Sequence, residues 1–142
     1  MGVIGFNFTK VSAERNPAVS GQVNISNNLA IKDVQKEEMS IAGDGQLGLR
    51  VAFEFSSKYK PDMGNIVINA NVLALESKEE GDKILKEWEK NKKLPDSFMR
   101  QTLSFMLRRC NIKALVLAED LNLPSPVPLP KLDPGKASND EE

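Results

Sequence analysis

The first half of the chain alternates apolar and polar residues with a period of two. Ile4, Phe6 and Phe8 are separated by Gly5, Asn7 and Thr9, which predicts a strand from Ile4 to Val11. A second strand is predicted from Val19 to Ile25, where Val19, Val23 and Ile25 face away from Ser20, Gln22 and Asn24. The clearest alternation is Leu47, Leu49, Val51, Phe53 and Phe55 against Gly48, Arg50, Ala52, Glu54 and Ser56. A fourth run places Ile66, Ile68, Ala70, Val72 and Ala74 on one side. Its other side begins polar with Asn65, Asn69 and Asn71 and ends apolar with Leu73 and Leu75. Breaks fall at Asn16-Pro17, at Asn27-Asn28, between Ile41 and Gly45, and at Lys60-Pro61-Asp62-Met63-Gly64. Such short breaks favour antiparallel neighbours, because a parallel crossover needs about a dozen residues or more. The charged stretch from Lys32 to Ser40 either extends the second strand at an edge or forms a loop.

The second half changes period. Glu79 to Lys92 carries Ile84, Leu85 and Trp88 on one side, although Gly81 weakens its first turn. Leu94-Pro95-Asp96 stops that helix, and Asp96 or Ser97 can cap the next. From there Met99, Leu103, Met106, Cys110, Ala114, Leu117 and Leu121 form a stripe at helical spacing, with Phe98, Thr102, Phe105, Ile112 and Val116 beside it. This apolar face is wider than one sheet contact needs, so a second copy of the chain is expected to cover part of it. Prolines 124, 126, 128 and 130 then forbid helix and favour a stiff polyproline II path, read as a strap or a docking segment. The pattern gives one α+β domain over residues 1–132: a single antiparallel sheet of about four strands covered by two C-terminal helices. An acidic, disordered tail is expected over 133–142.

Composition narrows the function classes. The chain has 142 residues, 40% hydrophobic and 27% charged, which suits one folded domain. The net charge is −1, with Lys and Glu interleaved along residues 83–93, the pattern of a solvated helix face. Nothing there selects for nucleic acid, although Lys78, Lys83, Lys86, Lys90, Lys92, Lys93 and Arg100 leave an RNA-associated alternative open. No apolar run reaches the roughly 18 residues of a membrane span. A single cysteine, Cys110, cannot form an internal disulfide, so a reducing, cytoplasmic setting is expected.

Chemistry is hard to place. The chain has no histidine, which removes Ser-His and Cys-His nucleophiles and the commonest metal ligand. Cys110 lies on the apolar stripe and reads as core. Gly43-Asp44-Gly45 lacks the Lys-Ser/Thr of a phosphate loop and reads as a turn. Asn65, Asn69 and Asn71 read as the solvent side of a strand rather than a polar site. Neither a metal, a cofactor nor catalysis is expected; an enzyme would need a deep pocket of converging Asp, Glu or Asn.

The order of elements over residues 3 to 130 resembles the SecB-type export chaperones: four strands, a helical region, a long amphipathic helix and an apolar proline-bearing segment. The span from Phe6-Asn7-Phe8-Thr9-Lys10 to Leu123-Pro124-Ser125-Pro126 is also similar to a group of small uncharacterised archaeal proteins. The first resemblance implies dimers that pair further, and apolar grooves that hold unfolded or partly folded polypeptides without nucleotide. The positions that would match such a groove or an oligomer interface are Met99, Phe105, Met106, Leu123, Val127 and Leu129. SecB-type proteins are strongly acidic and this chain is not, so docking to an export motor is not expected. The alternative is a structural or assembly subunit with one specific protein partner.

Overall fold

The computed structural model describes residues 2–17 and 22–127. Four strands precede two helices: β1 (Gly2–Arg15), β2 (Asn24–Glu37), β3 (Gln46–Lys60), β4 (Gly64–Ser77), α1 (Lys78–Asn91) and α2 (Asp96–Asp120). All strand pairings are antiparallel, in the order β1-β4-β3-β2. The α+β architecture read from the sequence is therefore present: one four-stranded sheet with both helices following it.

Two details differ from the sequence reading. β1 and β2 are not neighbours; they form opposite edges of the sheet. Because β2, β3 and β4 follow one another as antiparallel neighbours and β1 pairs with β4, the topology is a Greek key. The second difference is the position of β2, which runs straight through Asn27-Asn28 and on through the charged stretch to Glu37. An edge strand tolerates that polarity, since only one of its faces meets the core. The Asn pair is held by the ladder, Asn27 opposite Ser57 and Asn28 opposite Ser56. The predicted start at Val19 lies outside the described residues, as do Leu129 and the expected tail.

Alternation sends one residue set of each strand to a common face. On β3 these are Leu47, Leu49, Val51, Phe53, Phe55 and Tyr59; on β4, Ile66, Ile68, Ala70, Val72 and Ala74; all are buried. Ser57, on the same face, is also buried, and its hydroxyl donates to Asn27 Oδ1 at 2.6 Å. Phe53 and Phe55 are core, as the pattern implied. The opposite face keeps Asn65, Asn69 and Asn71 partly exposed beside Val67, Leu73 and Leu75. Register shifts after Val3, Phe8 and Ile31 break the regularity of both edge strands. Such bulges, with Lys10, Glu14, Lys32 and Lys36 nearby, discourage edge-to-edge pairing.

The helices close the buried face. Ser77 caps α1 by accepting a hydrogen bond from the Glu80 amide at 3.2 Å. Gly81 has a packing role: a Cβ there would lie 2.4 Å from Leu47 Cδ2, so the missing side chain lets α1 sit close on β3. Neither Asp96 nor Ser97 caps α2. The N-cap is Pro95, whose carbonyl accepts from the Met99 amide at 2.9 Å, and Asp96 is already the first helical residue. At the other end Asn122 takes a left-handed conformation (φ 53°). Leu123 N–H then reaches Ala118 O at 2.8 Å, and Asn122 N–H reaches Glu119 O at 3.2 Å. These are the two bonds of a Schellman stop. Arg15 from β1 adds side-chain donors to the Leu121 carbonyl, at 3.0 Å, and to that of Asn122.

Candidate functional site

The buried line along α2 is Phe98, Thr102, Met106, Cys110, Ala114 and Ala118, spaced four residues apart throughout. A helix has 3.6 residues per turn, so this line winds by about 40° at each step. The stripe expected from the sequence is therefore only partly the buried one. Met106, Cys110 and Ala114 belong to both, whereas Met99, Leu103, Leu117 and Leu121 lie on flanks and are half-buried. Thr102 can sit at full burial because its hydroxyl donates to the Phe98 carbonyl at 2.9 Å. Cys110 is fully buried, which pushes its thiol up to about 11.

One flank of α2 packs on β1. The Phe105 ring lies 5.8 Å from Phe6, which in turn meets Phe8 edge-on at 4.8 Å. Arg109 stacks over Phe6 at 4.8 Å and Lys113 over Phe8 at 5.6 Å, so the cations cover aromatic surface. The opposite flank borders a cleft. Met99 and Leu103 there face Trp88 and Lys92 of α1 across a gap floored by Leu29 and Ile31 of β2. Lys32 completes the lining of this open groove of about 630 Å³. Lys92 lies 5.4 Å from the Trp88 ring, and Lys32 pairs at 3.8 Å with Glu54, both exposed. The groove is thus apolar at its floor and walls and cationic at its rim.

After α2 the chain becomes a strap across the other end of the same sheet face. The Tyr59 hydroxyl, buried, donates to the Pro124 carbonyl at 2.6 Å. Burial raises the phenol above its ordinary range, so it stays a donor. Asn27 Nδ2 donates to the Pro126 carbonyl at 2.7 Å. Leu123 and Pro126 are buried, while Val127 is half-buried and its amide meets Ser125 Oγ at 3.3 Å.

The six positions singled out from the sequence therefore separate. Met99 lines the groove. Phe105 is on the far side of α2 against β1. Met106 (0% exposed) and Leu123 (7%) are part of the chain's own core, so neither presents surface to a partner. Val127 lies in the strap, and Leu129 is outside the described residues. Leu29, Ile31, Trp88 and Leu103 were missed as a group. Leu-Ala-Ile at 29–31 carries an alternation signal, but only the strand order places it opposite the helices. Outward from α2, Ile112 (60% exposed) and Val116 (48%) remain uncovered, with Leu107 (37%) beside them. The surplus apolar surface expected of this helix is real, but these residues carry it.

Among the described residues no helix is long and apolar enough to cross a membrane. No family model matches the sequence, and no curated protein matches it. The fold does have a counterpart among solved structures. The SecB-like chaperone Rv1957 of Mycobacterium tuberculosis, solved with a ChAD peptide from the HigA1 antitoxin, superposes with a TM-score of 0.53. The match covers 92% of this chain and 89% of that one at 12% identity. The likeness is one of fold: this chain has a SecB-like arrangement of sheet and helices.

Proposed function

We propose that this chain is a non-catalytic polypeptide-binding protein of the SecB-like holdase type, taking apolar segments of unfolded or partly folded chains into the groove between α1, α2 and β2. The observation that carries this reading is the groove itself, with Leu29, Ile31, Trp88, Met99 and Leu103 converging on one open cleft. Its size lies within the roughly 300–1,000 Å³ usual for ligand clefts. Met99 gives an adaptable wall and Trp88 a broad flat one, which suits side chains of varied shape. Each buried Leu or Phe side chain contributes about 1.5–3 kcal/mol before the cost of association. A few such side chains give weak, reversible binding, as holding without chemistry requires. The fold shared with a chaperone solved in complex with a peptide supports the same reading. Self-association in the cytoplasm completes the proposal, with Ile112 and Val116 as the surface a second copy covers.

The test is suppression of aggregation of two unrelated unfolded proteins, compared with a Leu29→Asp/Leu103→Asp variant. Both residues are half-buried, so circular dichroism is used to confirm that the variant folds. The wild type should suppress both substrates and the folded variant neither. Undiminished activity in the variant would remove the groove from the mechanism. Activity toward only one substrate would favour a dedicated partner over general holding.

A further inference from the structure

Two breaks in otherwise regular patterns put positive charge at the groove. Along β2 the inward positions are odd-numbered as far as Ile31: Ile25 opposite Tyr59, Asn27 opposite Ser57, Leu29 opposite Phe55 and Ile31 opposite Phe53. Beyond Ile31 the register slips by one residue, so that Asp33 pairs with Ala52 and the buried position becomes the even-numbered Val34. Lys32 is the residue the ladder skips. Strict alternation would send its side chain to the far face of the sheet. A bulge re-aims the side chain it carries, and Lys32 lines the cleft beside Leu29 and Ile31.

The second break is at the end of α1. Lysine and glutamate interleave from Lys83 to Lys90, after which Lys92 and Lys93 follow with no acid before Asp96. Lys92 ends the helix in the left-handed conformation (φ 55°), and its amide donates to the Trp88 carbonyl at 2.8 Å. Glycine is the least strained residue at such a stop, yet the position carries a lysine. Its ammonium lies 5.4 Å from the centre of the Trp88 ring, at the cleft wall. The rest of the lining is apolar and holds no acidic residue. The Asp33 carboxylate is engaged elsewhere, by the Val34 amide at 2.9 Å and by Gln35 Nε2 at 2.6 Å. Lys32 meets Glu54 at 3.8 Å, but both groups are exposed, and such a pair contributes little and exchanges readily for another carboxylate.

We propose that the groove selects apolar segments that carry aspartate or glutamate, with Lys32 and Lys92 as its specificity-determining residues; this rests on the reading of the groove as a polypeptide site. The apolar side chains of the segment enter between Trp88, Met99 and Leu103, and its carboxylates meet the two ammonium groups at the rim. A segment of the same apolarity flanked by lysine or arginine meets like charge at both positions. Charge complementarity of this kind sets partner choice and association rate more than it adds raw affinity. The favoured clients are therefore acidic chains with apolar stretches exposed.

The test uses three peptides that share one apolar core, Leu-Ser-Phe-Ser-Leu, flanked on both sides by a pair of aspartates, asparagines or lysines. All are acetylated and amidated, so only side chains carry charge. Trp88, the sole tryptophan, lines the groove and reports binding through its emission. With the full-length protein at low ionic strength, the aspartate peptide should bind about 3- to 10-fold more tightly than the asparagine peptide, the range of two exposed ion pairs. The lysine peptide should bind more weakly than either, and high salt should bring the three together. Lys32 and Lys92 are both exposed, so Lys32→Gln/Lys92→Gln should fold normally and bind the asparagine peptide within about twofold of the wild type. Its preference for aspartate should be lost, and Lys32→Glu/Lys92→Glu should invert the order. Equal affinities of the three peptides for the wild type would overturn selection by charge and leave the groove reading standing. So would an aspartate preference that survives Lys32→Gln/Lys92→Gln. Binding of none of the peptides would remove the groove reading and the selection with it.

Discussion

Tyr59→Phe isolates the strap's attachment with little else disturbed. The ring remains, so the 1%-exposed site keeps its packing and no cavity forms. What is lost is one hydrogen bond, from the hydroxyl to the Pro124 carbonyl at 2.6 Å. Such a bond contributes about 0.5–1.5 kcal/mol net. Pro124 is exposed, so water can take over part of its carbonyl's demand and the loss should lie near 1 kcal/mol. For a domain of this size that lowers the urea midpoint by roughly 0.5 M at unchanged slope, and Tm by about 3–4 °C. The strap should also open more often. A change of 1 kcal/mol is about a fivefold rise in the open population, read as faster exchange of the Leu123 amide, which bonds Ala118 at the strap's start. An unchanged midpoint and unchanged Leu123 exchange would refute the claim that Tyr59 fastens the segment.

Three further outcomes follow from the packing. Met106→Ala removes a fully buried side chain at the middle of the α2 row and should cost about 2–5 kcal/mol in urea unfolding at any protein concentration, whereas a loss seen only on dilution would mean a partner holds that site. Cys110 titrates near 11 when folded against 9.0 for the free group, so the unfolded chain releases its proton first. Stability should fall as pH rises from about 9 to 11, by roughly 2–3 kcal/mol, and Cys110→Ala should flatten that slope in pH-dependent denaturation. Ile112→Lys/Val116→Lys, at exposed positions, should leave Tm within about 1 °C but lower the oligomeric mass in light scattering; an unchanged mass would remove this face from assembly.

The parts of the fold that were legible are those where burial on one side leaves a period in the sequence. β3 and β4 alternate because they are central and meet helices on one face only. α1 and α2 show helical spacing for the same reason. β2 was legible only in fragments, because an edge strand can carry Asn27-Asn28, Lys32, Gln35 and Lys36 on exposed positions while burying Val34 between them. The placement of β1 beside β4 left no local trace, since pairing partners some 50 to 70 residues apart share no turn. That order is also what hid the groove. Leu29 and Ile31 become a floor only once β2 lies at the edge away from β1, beyond the reach of α2. Met106 and Leu123 were read as groove or interface positions because their spacing marks an apolar face without telling which neighbour covers it, and that neighbour is the chain's own sheet.

The Greek-key order sets a timetable for the chain's own maturation. Gly2 is matched with Leu75 and Arg15 with Gly64, so β1 is synthesised well before its partner and has no ladder to join until β4 is made. Val3, Phe6, Phe8 and Val11 must wait in water through that interval, since contacts between distant positions form late. Pulse-labelled amide exchange during refolding should find β2 and β3 protected before β1; simultaneous protection would refute the sequence of events. Under the proposed holding activity, each newborn copy would pass through a stage at which it is itself a client for a finished one.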